Sequence, residues 1–430
     1  MDKIKIRGGK KLEGKIYISG AKNAALPLIC ASLLTDETVT LTNMPMLSDI
    51  TAMNVLLKEL GTDIDEFDDF VDGHNTKTYS YRTKEFKSLI APYDFVRKMR
   101  ASYYVLGPLL AREGHIELSL PGGCAIGARP MDIHLSALEQ MGVKIEIKQG
   151  YVYGDVQGKL KGAHIILRIA SVGATCNILM AAVLAEGKTI IENAAKEPEI
   201  GDLIDLLNAM GAKIEGKDSS VLTIYGVEKL HGAQHKVIPD RIEAGSYAVA
   251  AAITRGRIEL LNAQAETLQS PIKVLRDMGV TVEEKEHSLI VDAQEATLWG
   301  QDIMTDYYPG FPTDLQAQFM ALMLTAKGAS MITENIWENR FMHVPELMRM
   351  GANINVHGHA SAIVRGVKQL SGAPVMATDL RASFALILAG LVAEGETIVN
   401  RVYHLDRGYE HLEEKLKGVG ADIERIKEPD

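Results

Sequence analysis

A chain of 430 residues with 47% hydrophobic and 24% charged residues is long enough for two hydrophobic cores and has the balance of an ordinary globular protein. A formal net charge of −10 argues against general nucleic-acid binding, and three cysteines do not make a disulfide framework. No Cys or His spacing suits a metal site. Residues 1–7 carry no apolar secretory core, and runs such as 178–185 are far too short to cross a bilayer. The expectation is therefore a soluble, cytoplasmic protein without a cofactor or metal, acting on neither nucleic acid nor membrane.

In chain order, short strand signals at 4–7 and 15–19 come first, without a helix of their own. Lys22-Asn23 then opens an alanine-rich apolar stretch that includes Cys30. From there a Gly-x-x-Ile/Val signature closes a helical pattern six times, at Gly61, Gly142, Gly211, Gly279, Gly351 and Gly420, with spacings of 81, 69, 68, 72 and 69. The third copy is the clearest. Residues 174–185, which include Cys176, read as an apolar helix and 188–192 as a strand. Residues 199–210 form an amphipathic helix with Leu203, Leu206, Leu207 and Met210 on one face. Gly211 caps it, and 213–215 and 221–224 read as two more strands.

Each repeat is thus a βαβαββ-type unit of about 70 residues, too small to bury its own faces. The first helix of each is apolar on all sides, as in 382–390, which suits a buried inner helix. Two groups of three repeats, each closed around its inner helices, fit the length: an α/β chain of two domains. The expected boundaries are 22–235 for the first domain and 1–21 with 236–430 for the second. The boundary is expected between the third and fourth repeats, near 230–239, and the strand pair before Gly20 is expected to complete the sixth repeat.

Between two of these elements lies a loop, at about 119–132, that contains Pro121, Gly122, Gly123, Cys124, Gly127, Arg129 and Pro130. Three glycines between prolines hold neither helix nor strand throughout. A thiol and a guanidinium five residues apart in such a frame suggest a lid with a reactive sulfur beside an anion clamp, the alternative being a plain surface loop. Polar residues open the inner helices: Lys22-Asn23, Arg100, Asp240, Asp314, and Asp379 with Arg381. For Asp314 and Asp379 N-capping is the simplest reading. A cation at a helix start opposes the helix dipole, so Lys22 and Arg100 point to a bound anion. No Walker-type or dinucleotide-type glycine motif is present, which leaves anion binding to side chains and helix termini.

The lid residues 121–130 resemble those of the UDP-N-acetylglucosamine 1-carboxyvinyltransferase family of enolpyruvyl transferases. So do 19–24, 171–175, 311–318, 338–347 and 406–410. The resemblance spans the chain and implies a two-domain inverse α/β barrel of six repeats, with the active site in the cleft. It also implies transfer of the enolpyruvyl group of phosphoenolpyruvate to the 3-hydroxyl of UDP-N-acetylglucosamine, with release of phosphate. Lys22, Arg129 and Arg407 then correspond to the cationic clamp for phosphoenolpyruvate, Asn23 to a sugar ligand and Asp314 to the carboxylate that bonds the attacking hydroxyl. Cys124 corresponds to the general acid. Arg100, Arg129, Pro130, Met131, Asp132, Ile133, His134, Ser171, Val172 and Ile336 match the nucleotide-sugar site, and Arg340, Asp379 and Arg381 are further candidates for substrate binding. Ser48 and Ile169 depart from the more polar residues of the family. The alternatives are the sister enzyme 3-phosphoshikimate 1-carboxyvinyltransferase and a non-catalytic homologue that binds nucleotide sugar.

Overall fold

Each of the six signature glycines has a positive φ, between 90° and 111°. An L side chain is strained there, so the glycine lets a helix end and the chain turn directly into the next strand. That local requirement produces the repeat. In the computed structural model, which describes residues 2–71, 74–97, 99–120 and 131–427 (the side chains of Val71 and Arg100 excepted), the described residues form six four-stranded sheets. In every sheet two neighbouring strands run parallel and the second pairs antiparallel with a third. In the order His164–Ile166, Lys188–Glu192, Val221–Tyr225, Lys213–Glu215, the inner helix Val172–Ala182 lies between the parallel strands in sequence and the last two strands form a hairpin. The expected mixed α/β six-repeat architecture is therefore present. Each repeat keeps its own sheet, so no continuous hydrogen-bonded barrel closes among the described residues.

The chain divides into two compact units, residues 2–19 with 239–427 and residues 20–120 with 131–238. In the first, helices Arg241–Ile253, Gln316–Met323 and Leu380–Val392 touch pairwise. They are buried along nearly their whole length, which explains why their sequences carry no polar stripe. In the second, the apolar helices Lys22–Ala31, Leu106–Glu113 and Val172–Ala182 contribute to one core with the sheets around them. Cys30 and Cys176 are buried in that core, and burial pushes both thiols upward.

One expectation needs correction. The strands before Gly20 do not stay together: Lys3–Arg7 lies between Glu396–Asn400 and Asp422–Ile426 in the sixth sheet, whereas Glu13–Tyr17 runs parallel to Arg257–Leu261 and opens the fourth. Just before residue 239, the strand Gln234–Lys236 pairs parallel with Val39–Met44 and completes the first sheet, another pairing that the sequence pattern does not announce. Both have one cause. A parallel edge strand of three to five residues carries too little periodicity to reveal its distant partner.

Candidate functional site

On the unit formed by 2–19 and 239–427, Asp314 lies in the 3-10 turn Thr313–Leu315 that leads into an inner helix, and it is not the expected cap. Its carboxylate is held from two sides. Arg340 Nη2 donates to Oδ1 at 2.7 Å, and Arg381 approaches Oδ2 through Nε at 3.3 Å and Nη2 at 3.2 Å. Both arginine side chains are 4% exposed, whereas the Asp314 side chain is 28% exposed. Burial opposes the charge on Arg381, but Asp314, Tyr409 and Asp240 together outweigh it and hold the guanidinium above its ordinary range. Asp379 does cap, accepting from the main-chain N–H of Arg381 at 2.9 Å and of Ala382 at 3.0 Å. It thereby fixes the turn that aims Arg381.

Three supports of Asp314 were not found by sequence reading. Buried Glu334 accepts from the Thr313 hydroxyl at 2.9 Å and from the main-chain N–H of Ile336 at 2.9 Å, which ties the Ile336 loop to the Asp314 turn. Gln318, one helical turn after Asp314, donates to the Asp314 carbonyl at 2.9 Å and to the Tyr409 hydroxyl at 3.1 Å. Arg381 lies over the Tyr409 ring, 5.5 Å from its centroid. Gln318 could have been noticed as one of two amides, with Gln316, in a largely apolar inner helix. Arg407 ends the 3-10 segment Val402–Arg407 and is half-buried, two residues from Tyr409.

On the unit formed by 20–120 and 131–238, Lys22 begins the helix Lys22–Ala31 and is buried. Its Nζ is 3.4 Å from Asp49 Oδ2, whose side chain is 7% exposed. A helix-start cation therefore has a carboxylate partner in the fold itself, a partner the anion argument left out. Asn23 beside it is partly exposed. Met131 starts the helix Met131–Gln140, Asp132 is exposed and pairs with Arg168 at 2.8 Å, and Ile133 and His134 turn inward. Asn177 donates to His134 Nδ1 at 3.0 Å and to the Tyr103 carbonyl at 3.2 Å, while its Oδ1 accepts from the Gly107 N–H at 2.9 Å. His134 Nδ1 is thus an acceptor, and burial lowers the imidazole to about 4, so the ring is neutral near pH 7. Ser171 caps the helix Val172–Ala182 through the N–H of Ala174. A cavity of about 150 Å³ is lined by Asp132, Ile133, Ser136, Gln140, Ile165 and Arg168, among others.

Cys124, Arg129, Pro130 and the Arg100 side chain lie outside the described residues. Lys22 and Asn23 fall on one unit with 131–134, Ser171 and Val172; Asp314, Ile336, Arg340, Asp379, Arg381 and Arg407 fall on the other. Among the described residues no group of three or more His, Cys, Asp or Glu could hold a metal, and no helix is long and apolar enough to cross a membrane.

The described residues thus comprise six copies of one mixed α/β repeat, three to each compact unit, with charged residues at the starts of inner helices. The sequence pattern of the family described as EPSP synthase (3-phosphoshikimate 1-carboxyvinyltransferase) matches residues 6–416. A UDP-N-acetylglucosamine 1-carboxyvinyltransferase of Paramagnetospirillum magneticum is 62% identical over 429 residues, covering 100% of this chain and 99% of its own. One from Granulibacter bethesdensis is 60% identical, covering 99% and 100%. Among solved structures, the enolpyruvyl transferase NikO from Streptomyces tendae superposes with a TM-score of 0.88 at 24% identity, covering 100% of this chain and 99% of its own. EPSP synthase from Acinetobacter baumannii superposes with a TM-score of 0.76 at 20% identity, covering 99% and 100%; both share the fold. The chain belongs to the EPSP synthase family of enolpyruvyl transferases.

Proposed function

We propose that the chain transfers the enolpyruvyl group of phosphoenolpyruvate to the 3-hydroxyl of UDP-N-acetylglucosamine and releases phosphate, the first committed step of peptidoglycan precursor synthesis. The observation that carries the site assignment is Asp314, a carboxylate held by two buried arginines and itself 28% exposed. Full-length relatives at 60% and 62% identity that bear this activity in their names support the choice of acceptor.

In this reading a partly exposed Asp314 oxygen accepts the hydrogen bond of the acceptor hydroxyl and takes its proton as the oxygen attacks C2 of phosphoenolpyruvate. With both arginines bonded to it the carboxylate is fixed in place, and orienting the hydroxyl is the larger part of its role. Cys124 delivers a proton to the methylene carbon, giving a tetrahedral phospholactoyl ketal. Loss of phosphate and of one methyl proton from the ketal gives the enol ether. Lys22, Arg129 and Arg407 neutralise the carboxylate and phosphate of the donor. Asn23 bonds the sugar, and Arg100, Pro130, the 131–134 turn, Ser171, Val172 and Ile336 contact the nucleotide sugar. The enzyme works in the cytoplasm, where its product feeds cell-wall growth and thereby cell shape and division.

The test is phosphate release by purified protein from phosphoenolpyruvate with each candidate acceptor. Release with UDP-N-acetylglucosamine and none with shikimate 3-phosphate is the expected result. The opposite preference, or no release with either, overturns the assignment.

A further inference from the structure

Outside the groups given a role above, the most unusual feature of the described residues is a buried cluster of charges around Ser19. Every polar group of that residue is engaged. Its N–H donates to Glu243 Oε2 at 2.7 Å, its carbonyl accepts from the N–H of Asp240 at 2.8 Å, and its hydroxyl donates to Glu410 Oε2. Lys415 Nζ completes the cluster, donating to the Ser19 hydroxyl at 2.6 Å and to Glu243 Oε1 at 2.8 Å, with Glu410 Oε2 at 3.8 Å. The lysine side chain is 8% exposed and each glutamate 2%. Two carboxylates and one ammonium shut away from water are a poor source of stability, since apolar residues of similar volume serve as well or better. Such a cluster is better suited to fixing a geometry.

The geometry it fixes includes the approach to Arg407. Glu410 is three residues beyond that arginine, and the intervening chain is pinned at each step. Asp406 is gripped by Arg425 through two hydrogen bonds of 3.0 and 2.6 Å. Gly408 lies so close to Leu380 that a Cβ would come within 2.7 Å of its Cδ2. The Tyr409 hydroxyl bonds Ser246 at 2.9 Å and Gln318 at 3.1 Å. The residues flanking Arg407 are thus anchored on both sides.

We infer that Lys415, with Glu410 and Ser19, is a positioning group for Arg407, holding its backbone at the place from which the guanidinium meets the anionic donor. This inference rests on the activity proposed above and assigns that activity a residue outside the reacting groups. Lys415→Met removes the ammonium that links Ser19 to both glutamates; Lys415→Arg keeps the charge.

The experiment measures kcat and both KM values for the full chain, for these two variants and for Glu410→Gln, with thermal melting alongside. Lys415→Met is expected to raise KM for phosphoenolpyruvate about tenfold and leave KM for the nucleotide sugar within about twofold. Lys415→Arg should recover most of the loss, and Glu410→Gln should raise the same KM in the same direction. Equal changes in both KM values, or no change in either, overturn the inference. So does a loss in Lys415→Met that Lys415→Arg does not relieve. If Lys415→Met does not fold, the KM split in Glu410→Gln decides. An inactive wild type is a different outcome, one that overturns the proposed activity itself.

Discussion

Replacing Asp314 with alanine should destabilise the protein as well as disable it. Site residues often carry strain, and their removal then raises stability. Here the carboxylate is the partner that the structure gives to two guanidinium groups, each on a side chain 4% exposed. Removing one member of a buried ionic group costs about 3–5 kcal/mol, because the remaining charge is stranded. Asp314 is 28% exposed, so water can reach part of the vacated space, and the lower end, about 3 kcal/mol, is the expected cost. For a unit of this size that corresponds to a fall in melting temperature of about 6–12 °C. Asp314→Asn keeps the volume and one acceptor oxygen and should lose roughly half as much. Adding Arg381→Met to Asp314→Ala removes one stranded cation and should recover part of the loss. Differential scanning calorimetry of the three variants and the wild type supplies the comparison. An Asp314→Ala protein that melts at or above the wild-type temperature would refute the reasoning, because the arginines would then not depend on the carboxylate.

Acid should weaken the fold through His134 and His343, both held at about 4 by burial, against an ordinary value of 6.5. The unfolded chain binds these protons as pH falls below about 6.5, while the folded chain resists until about 4. Stability is therefore complete above that window and lost on descending through it, by about 2 kcal/mol per histidine at pH 5. His134→Gln should flatten the melting-temperature profile between pH 7 and 5, and an unchanged slope would count against the assignment. Gly173→Ala would put a methyl carbon 2.7 Å from the Tyr103 hydroxyl and 3.0 Å from His134 Cε1. A cost of about 1–3 kcal/mol and weaker nucleotide-sugar binding are expected, measured by melting and by calorimetric titration. An epoxide phosphonate such as fosfomycin should alkylate Cys124 in preference to Cys30 or Cys176, whose thiols burial holds protonated. Peptide mass mapping locates the adduct, and a label on either buried cysteine contradicts the lid assignment. Arg407→Ala should weaken handling of phosphoenolpyruvate more than binding of the nucleotide sugar. Equal losses in steady-state kinetics would mean that Arg407 is not part of the donor clamp.

The repeat was legible because a left-handed helix end admits little besides glycine, so Gly61 and its five counterparts mark the same turn in every copy. The inner helices were legible for a related reason: a helix surrounded by protein has no polar side to display. Strand partners were not. Lys3–Arg7 and Glu13–Tyr17 are close in sequence yet belong to different sheets, and the hydrophobic pattern of five residues does not encode a partner hundreds of residues away. In the site, Lys22, Asp314, Arg381 and Arg407 drew attention as charges at helix starts or in recognisable motifs. Asp49, Glu334, Asn177 and Lys415 did not, because each acts on another residue of the fold and its own sequence surroundings are unremarkable. Asp314 also shows the limit of capping rules: Thr-Asp before an apolar helix reads the same at 313–314 as at 378–379, yet only Asp379 caps.

The division of the first two strands between the sixth and fourth sheets has a consequence for biosynthesis. Lys3–Arg7 is a central strand whose neighbours are Glu396–Asn400 and Asp422–Ile426. As the polypeptide leaves the ribosome, residues 20–238 can acquire all three of their sheets while translation continues. The strand Lys3–Arg7 must wait unpaired until residues 396–426 have been made. A nascent chain stalled before residue 396 carries one finished unit and an unsatisfied early strand, the type of segment that chaperones bind and aggregates recruit.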